Sequence, residues 1–415
     1  MKKKIAIFGA TGSVGTQTLE VLRQFPDDFE VTALIAQKNA TALERQIKEI
    51  QSWQNQGRQP LPEPKNDCKC TAGGNFQPEV FDLNQKNKLE ANSHFRQKST
   101  PKAYLGLGKL DQIVAEADYI VNAVPGFAGL EVSLATLRAS TPAIPKTLLS
   151  ANKESLAIAG RYLREIAAKT GARIFPLDSE ASALWQLMHE HGRENTAAVT
   201  ITCSGGPFLG KTEEELRHVT REQALAHPTW KMGPKVSLDS ATLINKLLEV
   251  YEVHNLFDIP LSKIAITIHP QSLSHGMIHT HTNATKTHIT QNDMRLFISY
   301  ALHYPDQPPC PWPIERVKKS DLEFREPDPK TFRSLHWLEL HRGNPNFPIV
   351  LNAMNDIATQ LFLDGQITFL QIYDLIEAGL DRWLWEVPPT SLEEMIEFHQ
   401  KITRESDDLI EKFTK

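Results

Sequence analysis

The sequence predicts an α/β protein in three parts: a doubly wound parallel sheet at the N-terminus, an α+β middle and a helical bundle at the C-terminus. Three observations carry this. Residues 4–8 (Lys-Ile-Ala-Ile-Phe) are a short β-branched run, and Gly9-Ala-Thr-Gly12-Ser-Val-Gly15 leads from it into the apolar-periodic Leu19, Val21 and Leu22, a strand, a glycine turn and a helix in succession. The middle third mixes strand and helix patterns without βαβ regularity. From Asn352 onward apolar residues recur at helical spacing.

A second strand is expected at 29–35, at the distance a βαβ unit requires, and 118–124 (Asp-Tyr-Ile-Val-Asn-Ala-Val) reads as a later buried strand of the same sheet. Residues 1–151 are therefore predicted to be a Rossmann-like nucleotide-binding domain. Within them, 51–103 is rich in Gln, Asn, Lys, Pro and Gly and is expected as loops, with one strand candidate at 78–82. A catalytic domain is assigned to 152–303, with strands at 172–176, 198–203, 264–268 and 273–281 and a helix at 241–251. Residues 304–346, dense in Pro and charge, read as a long connection. The C-terminal helical domain, 347–415, shows Ile357, Leu361 and Phe362, then Phe369, Ile372 and Ile376, then Ser391-Leu-Glu-Glu394 as a capping box.

Composition narrows the partners. The chain has 415 residues, 40% hydrophobic and 23% charged, close to folded globular proteins, and a formal net charge of -5 that lacks the basic excess of nucleic-acid binders. Four cysteines are too few for a disulfide framework and point to a reducing, cytoplasmic setting. Cys68-Lys-Cys70 has no second pair and reads as loop, with a metal site the alternative. No apolar stretch approaches the roughly 20 residues that span a bilayer, so no membrane is expected.

Several constellations carry chemistry. The Gly9/Gly12/Gly15 turn aims backbone N–H groups at a helix N-terminus, suited to a pyrophosphate, though a tight turn without ligand has the same sequence. After the second strand, Ala36-Gln37-Lys38-Asn39 lacks the acid that NAD-preferring folds place on the ribose 2′-hydroxyl and offers a lysine, which favours NADP. Asp178 and Glu180, one residue apart, would lie on one side of an extended segment and hold a hard cation such as Mn²⁺ or Mg²⁺; a solvated turn with Ser179 as helix cap is the plain alternative. At about 100° per residue, Asn245, Lys246 and Glu249 share one helical arc, while Ser240 falls off it unless the chain is still entering the helix there. A solvated face with a Lys–Glu pair is the alternative. Ser204-Gly-Gly-Pro207 and Asn152-Lys153-Glu154 each follow a strand, where ligands of such sheets collect, though an ordinary turn and a surface lysine read alike. His275, His279 and His281 would alternate on one strand face, suited to a transition metal or to polar packing.

Taken in order, Gly9-Ala-Thr-Gly-Ser-Val-Gly15, Ala151-Asn-Lys-Glu154, Leu177-Asp-Ser-Glu180, Ser204-Gly-Gly-Pro-Phe208, His227-Pro-Thr-Trp-Lys-Met-Gly233, Asp239-Ser-Ala-Thr242 with Asn245, Lys246 and Glu249, His269-Pro-Gln-Ser272 and Asp293-Met-Arg295 resemble the 1-deoxy-D-xylulose 5-phosphate reductoisomerase family over nearly the whole chain. The resemblance implies an NADPH-dependent oxidoreductase that rearranges and reduces this sugar phosphate to 2-C-methyl-D-erythritol 4-phosphate in non-mevalonate isoprenoid biosynthesis. It implies metal binding by Asp178, Glu180 and Glu249, with Lys153 and Ser179 near the reacting end and Lys153 catalytic beside the three carboxylates. Ser204, His227, Ser240, Asn245 and Lys246 would hold the substrate phosphate and hydroxyls. NADPH would meet Thr11, Gly12, Ser13, Val14, Gln37, Lys38, Asn39, Asn152, Glu154 and Gly233. Trp230 and Met232 would form a lid, and the catalytic domain would mediate a homodimer.

The sequence departs from the family pattern at Ala181, where a His usually follows the Asp-Ser-Glu triplet, at Gln37, which replaces a Gly, over 277–291, at Leu296-Phe297, and at Asn352-Ala-Met-Asn-Asp356. Two other functions stay open at this point: a reductase of another phosphorylated sugar or aldehyde, and a non-catalytic NADPH-binding homologue.

Overall fold

The computed structural model describes residues 2–56, 101–313, 316–318 and 322–414. In chain order the elements are β1 (Lys3–Phe8), α1 (Ser13–Gln24), β2 (Phe29–Ala36), α2 (Ala40–Gln56), β3 (Lys102–Leu105), α3 (Leu110–Glu116), β4 (Tyr119–Asn122), α4 (Gly129–Arg138), β5 (Thr147–Ser150), α5 (Lys153–Thr170), β6 (Arg173–Pro176), α6 (Ser179–His191) and β7 (Thr196–Cys203). Then come α7 (Glu213–Leu216), α8 (Arg221–Leu225), α9 (Pro234–Ala241), α10 (Ile244–Phe257), β8 (Ile264–Ile268), β9 (Ser274–Thr280), β10 (Thr285–Ile289) and α11 (Met294–His303). The last helices are α12 (Arg333–His341), α13 (Phe347–Leu363), α14 (Phe369–Trp383), α15 (Leu392–Arg404) and α16 (Asp407–Phe413).

β1 is buried from Ile5 to Phe8, and its parallel neighbours β2 and β4 flank it. The six-stranded sheet runs β3-β2-β1-β4-β5-β6, all parallel, so the order reverses between β1 and β4. Crossover chains leave in opposite directions there and open a crevice at the carboxyl ends of the strands. The sheet continues past residue 151 to β6, and α11 packs on α1 through Ile298, Ala301 and Leu302 in the core that holds Leu19 and Leu22. A second sheet, β10-β9-β7-β8, pairs β7 with β8 in parallel and with β9 antiparallel, and α6 and α10 pack on it.

Several expectations are corrected. Residues 51–56 continue α2 and 102–105 form β3, where loops were expected; Cys68, Cys70 and the strand candidate at 78–82 lie outside the described residues. The connection 304–346 contains α12, whose Leu335, Trp337 and Leu338 are buried against the C-terminal helices; its proline-rich flanks mask the apolar stripe of this nine-residue helix. The expected helix 241–251 is two helices, α9 and α10, broken at Thr242 and Leu243, with Leu243 at φ 57. The Thr242 carbonyl, left free by the break, accepts from Ser334 Oγ (2.7 Å) and Tyr373 OH (3.2 Å), so the C-terminal helices satisfy it.

Candidate active site

The crevice is a cavity of about 240 Å³ at the carboxyl ends of β1, β4, β5, β6 and β7, roofed by 230–233. One end of it is the turn after β1. Gly9 has φ +81, and a Cβ on Gly15 would lie 2.3 Å from the Gly9 carbonyl, so only glycines let the helix start this close to the strand. Gly12 is the N-cap of α1 with no side-chain cap, which leaves the first N–H groups of that helix for an anion. Gln37, Lys38 and Asn39 sit exposed between β2 and α2, and Asn39 Oδ1 accepts from Ala42 N at 3.0 Å.

At the opposite end, three carboxylates meet two lysines. Asp178 stands at the N-cap position of α6 without a capping hydrogen bond, Glu180 stands in its first turn, and Glu249 and Lys246 come from α10. Glu180 is thus helical rather than on an extended segment, because the helix begins at Ser179. Lys153 Nζ lies 2.5 Å from Asp178 Oδ1 and 2.7 Å from Glu249 Oε1. Lys246 Nζ lies 2.7 Å from Glu180 Oε1, donates to the Thr202 carbonyl at 2.6 Å and also contacts Glu249. Asn245 Nδ2 donates to Glu249, and Ser179 Oγ to Glu180.

Glu249 is fully buried and Lys246 2% exposed, so these charges gain little from solvent. Two ammonium groups cannot neutralise three carboxylates. Burial and the Glu180 charge push Glu249 up to about 7 despite its lysines, whereas at Glu180 the two lysines outweigh burial and hold the carboxyl at about 2. Asp178 is raised by burial, with Lys153 opposing. Glu252, one turn beyond Glu249 and 0% exposed, is raised well above its ordinary value by burial.

A ligand oxygen from each of Asp178, Glu180 and Glu249 lies within 4.8 Å of the others, and Asp178 Oδ2 is buried without a hydrogen-bond partner. Converging hard oxygens, excess negative charge and an orphaned carboxylate oxygen fit a Mg²⁺-class cation. Among the described residues this is the one trio of His, Cys, Asp or Glu so arranged, so His275, His279 and His281 form no metal face; His281 lies past the end of β9.

Between these ends, His227 Nδ1 accepts from Trp230 N (2.9 Å) and Thr229 N (3.3 Å), so its proton is on Nε2, which donates to Ser204 Oγ (2.9 Å). Gly206 N donates to the same oxygen at 3.0 Å, leaving the Ser204 O–H to donate into the cavity. Burial lowers His227 to about 4, keeping the ring neutral. A Cβ on Gly206 would lie 2.6 Å from the Ser240 carbonyl, so the Ser204 turn seats directly on the end of α9. The break after α9 resets helical phase and lets Ser240 line the same cavity as Asn245 and Lys246. Trp230 stands edge-on to His275 at 5.9 Å, and Ser13 Oγ donates to the Lys231 carbonyl at 3.2 Å, so the roof rests on both ends of the crevice.

Family models describing 1-deoxy-D-xylulose 5-phosphate reductoisomerase match residues 5–54 and 69–160, and its C-terminal domains match 174–257 and 289–405. The reductoisomerase of Thermomicrobium roseum is 37% identical over 95% of this chain and 94% of its own length, and that of Chlorobium phaeobacteroides 35% identical over 99% and 100%.

The chain belongs to the 1-deoxy-D-xylulose 5-phosphate reductoisomerase family.

Among solved structures, the Zymomonas mobilis reductoisomerase in complex with NADPH is 30% identical, covers all of both chains and superposes with a TM-score of 0.78. A reductoisomerase complex with NADPH, fosmidomycin and magnesium is 26% identical, with a TM-score of 0.80 over 99% of this chain and 98% of that one.

Of the residues that the reductoisomerase resemblance singles out, Gly12, Ser13, Val14, Lys153, Glu154, Asp178, Ser179, Glu180, Ser204, His227, Trp230, Met232, Gly233, Ser240, Asn245, Lys246 and Glu249 line the one cavity. Thr11 lies in the glycine turn. Asn152 is 1% exposed and set behind the wall: it caps α5 and donates to the carbonyls of Val124 and Gly126. Glu154 reaches the cavity edge, but its carboxylate accepts from Gly126 N (2.9 Å) and faces Lys235. Ser272 and Met294 also line the cavity; they stand in the His269-Pro-Gln-Ser272 and Asp293-Met-Arg295 motifs, which carried the resemblance but were given no role, and His275 lies against the roof and was visible only as part of a histidine alternation.

Proposed function

We propose that Asp178, Glu180 and Glu249 hold the divalent cation, that the Gly9–Gly15 turn with Gln37, Lys38 and Asn39 receives NADPH, and that Ser204, His227, Ser240, Asn245 and Lys246 hold the substrate's phosphate and hydroxyls. The reaction is the NADPH- and metal-dependent conversion of 1-deoxy-D-xylulose 5-phosphate to 2-C-methyl-D-erythritol 4-phosphate, as in the family. The single observation that carries the reading is the convergence of three buried carboxylates on one point of a crevice whose other end is an uncapped, glycine-entered helix N-terminus.

Bound there, the cation would act as a Lewis acid on the substrate's ketone and adjacent hydroxyl while the skeleton rearranges, and NADPH would deliver the hydride. Lys153 and Lys246 hold the carboxylates in place and keep cationic N–H groups beside the reacting oxygens, where developing negative charge is stabilised. Ser204 O–H and the Asn245 side chain are uncharged and can bind the phosphate end, with Lys246 as a point charge between the two ends. Trp230 and Met232 close over the substrate, and the Ser13–Lys231 contact lets the same closure reach the nucleotide end.

Magnesium is the cation of the solved relatives, and manganese is proposed as an equal fit to the same oxygens. A homodimer and a cytoplasmic setting complete the reading; light scattering of the purified chain checks the first. No helix among the described residues is long and apolar enough to cross a membrane. The deciding experiment is NADPH consumption with 1-deoxy-D-xylulose 5-phosphate, with Mg²⁺ or Mn²⁺ and then with chelator. Metal-dependent consumption is expected, and none under either metal would overturn the proposal.

A further inference from the structure

A third lysine, Lys235, stands half-buried among carboxylates at the edge of the cavity, whose wall includes Glu154 and Asp239. Lys235, two residues past Gly233 and in the first turn of α9, lies 2.7 Å from Asp239 Oδ2, 3.2 Å from Asp356 Oδ1 and 3.6 Å from Glu154 Oε1. The three acids belong to three different parts of the molecule: α9 itself, α13 of the C-terminal bundle, and the start of α5. Burial would strip the Lys235 proton, but the surrounding carboxylates outweigh it and hold the ammonium charged.

Each acid also grips something else. Glu154 accepts from Gly126 N and from Asn152 Nδ2, both at 2.9 Å. Asp356 accepts from Phe127 N at 3.3 Å, and Asp239 from Asn355 Nδ2 at 2.8 Å. Gly126 and Phe127 belong to the loop leaving β4, whose Val124 and Pro125 line the cavity. From the bundle side, His399 stacks on Phe127 at 3.7 Å and 6° between ring planes, and Asn352 holds His399 at 3.1 Å. One ammonium group thus ties the end of the lid segment, the β4 loop that walls the nucleotide side, and the helical bundle.

We propose that Lys235 is a positioning residue that sets Gly233, at the end of the lid segment, against the loop 124–127, with the C-terminal bundle as the fixed support, so that the wall around NADPH keeps one geometry. The inference rests on the reading above for the identity of the nucleotide. Without the charge, buried Glu154 and half-buried Asp356 repel each other unneutralised, and the two segments they hold part company. The cation trio and the Ser204–His227 pair share no hydrogen bond with Lys235, so metal and phosphate binding should stay intact.

The test compares wild type, K235M, K235R, D356N and the double variant K235M/D356N by NADPH fluorescence titration, by steady-state kinetics against each substrate, and by thermal unfolding. K235M is expected to weaken NADPH binding and raise its KM at least tenfold, with the KM for the sugar phosphate and the magnesium dependence changed less than threefold. K235R should recover most of the loss. D356N should shift NADPH affinity in the same direction by less, and add nothing on top of K235M. Wild-type NADPH affinity in K235M, an equal loss for both substrates, or additive effects of K235M and D356N would each overturn the proposal. If K235M does not fold, D356N with unchanged NADPH affinity overturns it. A wild-type protein that binds NADPH but turns nothing over counts against the proposed function alone, since the affinity comparison still decides the role of Lys235.

Discussion

Two buried lysine–carboxylate clusters lie within this fold, and they are satisfied in different ways. Around Lys235, backbone N–H groups of Gly126 and Phe127 and the amides of Asn152 and Asn355 take up the carboxylate oxygens that the lysine leaves. Around Lys153 and Lys246, neutral donors are few, Asp178 Oδ2 has none, and the oxygens of three acids converge. Buried charge is costly wherever it sits. Where neutral dipoles absorb it, the cluster can serve as a joint between segments; where they are withheld and the acids face a cavity, the cluster has the form of a socket for a cation.

The sharpest way to break this contrast is Glu249→Gln. The amide keeps the shape and removes the charge, and turnover should fall by at least about a hundredfold, exceeding the effect of losing a partner that merely orients a metal ligand. NADPH affinity should not change. Full turnover in this variant would show that the socket does not need its charge.

Acid acts on both regions at once. Burial lowers His275, beside the socket, to about 4 and His399, beneath the joint, to about 3, from the ordinary histidine value of about 6.5. Each ring is neutral when folded and protonates first when unfolded, so the unfolded state binds more protons below about pH 6.5. Stability should therefore fall as pH drops from about 6.5 toward 4, by up to about 1.4 kcal/mol per pH unit for each such histidine. Denaturant midpoints across that range check the sign; a flat profile would contradict it.

Metal separates the regions. A ligand that binds only the folded chain at a hundred times its Kd adds about 2.7 kcal/mol. Saturating Mg²⁺ should raise the melting temperature of wild type and of K235M alike, and leave that of Glu249→Gln unmoved. A smaller effect is expected from Asn355→Leu, which deprives Asp239 of its neutral donor and should cost about 1–3 kcal/mol of stability with the metal requirement intact. The smallest is Ser13→Ala. Loss of the 3.2 Å contact to Lys231 should weaken NADPH binding by about 0.5–1.5 kcal/mol and leave melting unchanged.

Much of this was legible in the sequence wherever the signal was local. The glycine turn and the arc of Asn245, Lys246 and Glu249 follow from spacing, and the C-terminal helices from their apolar period; Asp178 and Glu180 were singled out by spacing too, but on an extended segment where the chain in fact begins α6. What stayed hidden depends on distant segments. Ser240 needed the helix break at Leu243, which no glycine or proline announces. Glu154 stands in a motif that points to the nucleotide, yet its carboxylate turns to Lys235, a partner 81 positions away that only tertiary packing supplies. The α12 helix hid because prolines and charges around it dilute its period.

The interruption between α9 and α10 also makes the site depend on phase as a reading frame does. In one continuous helix, Ser240 and Asn245 would point about 140° apart. Leu243 in its left-handed turn, with the Thr242 carbonyl tied to Ser334 and Tyr373, supplies the correction that brings them to one cavity. A single residue inserted or deleted between Ser240 and Asn245 would therefore act as a frameshift in space: each half would keep its own side chains in order, and the two halves would no longer spell one site.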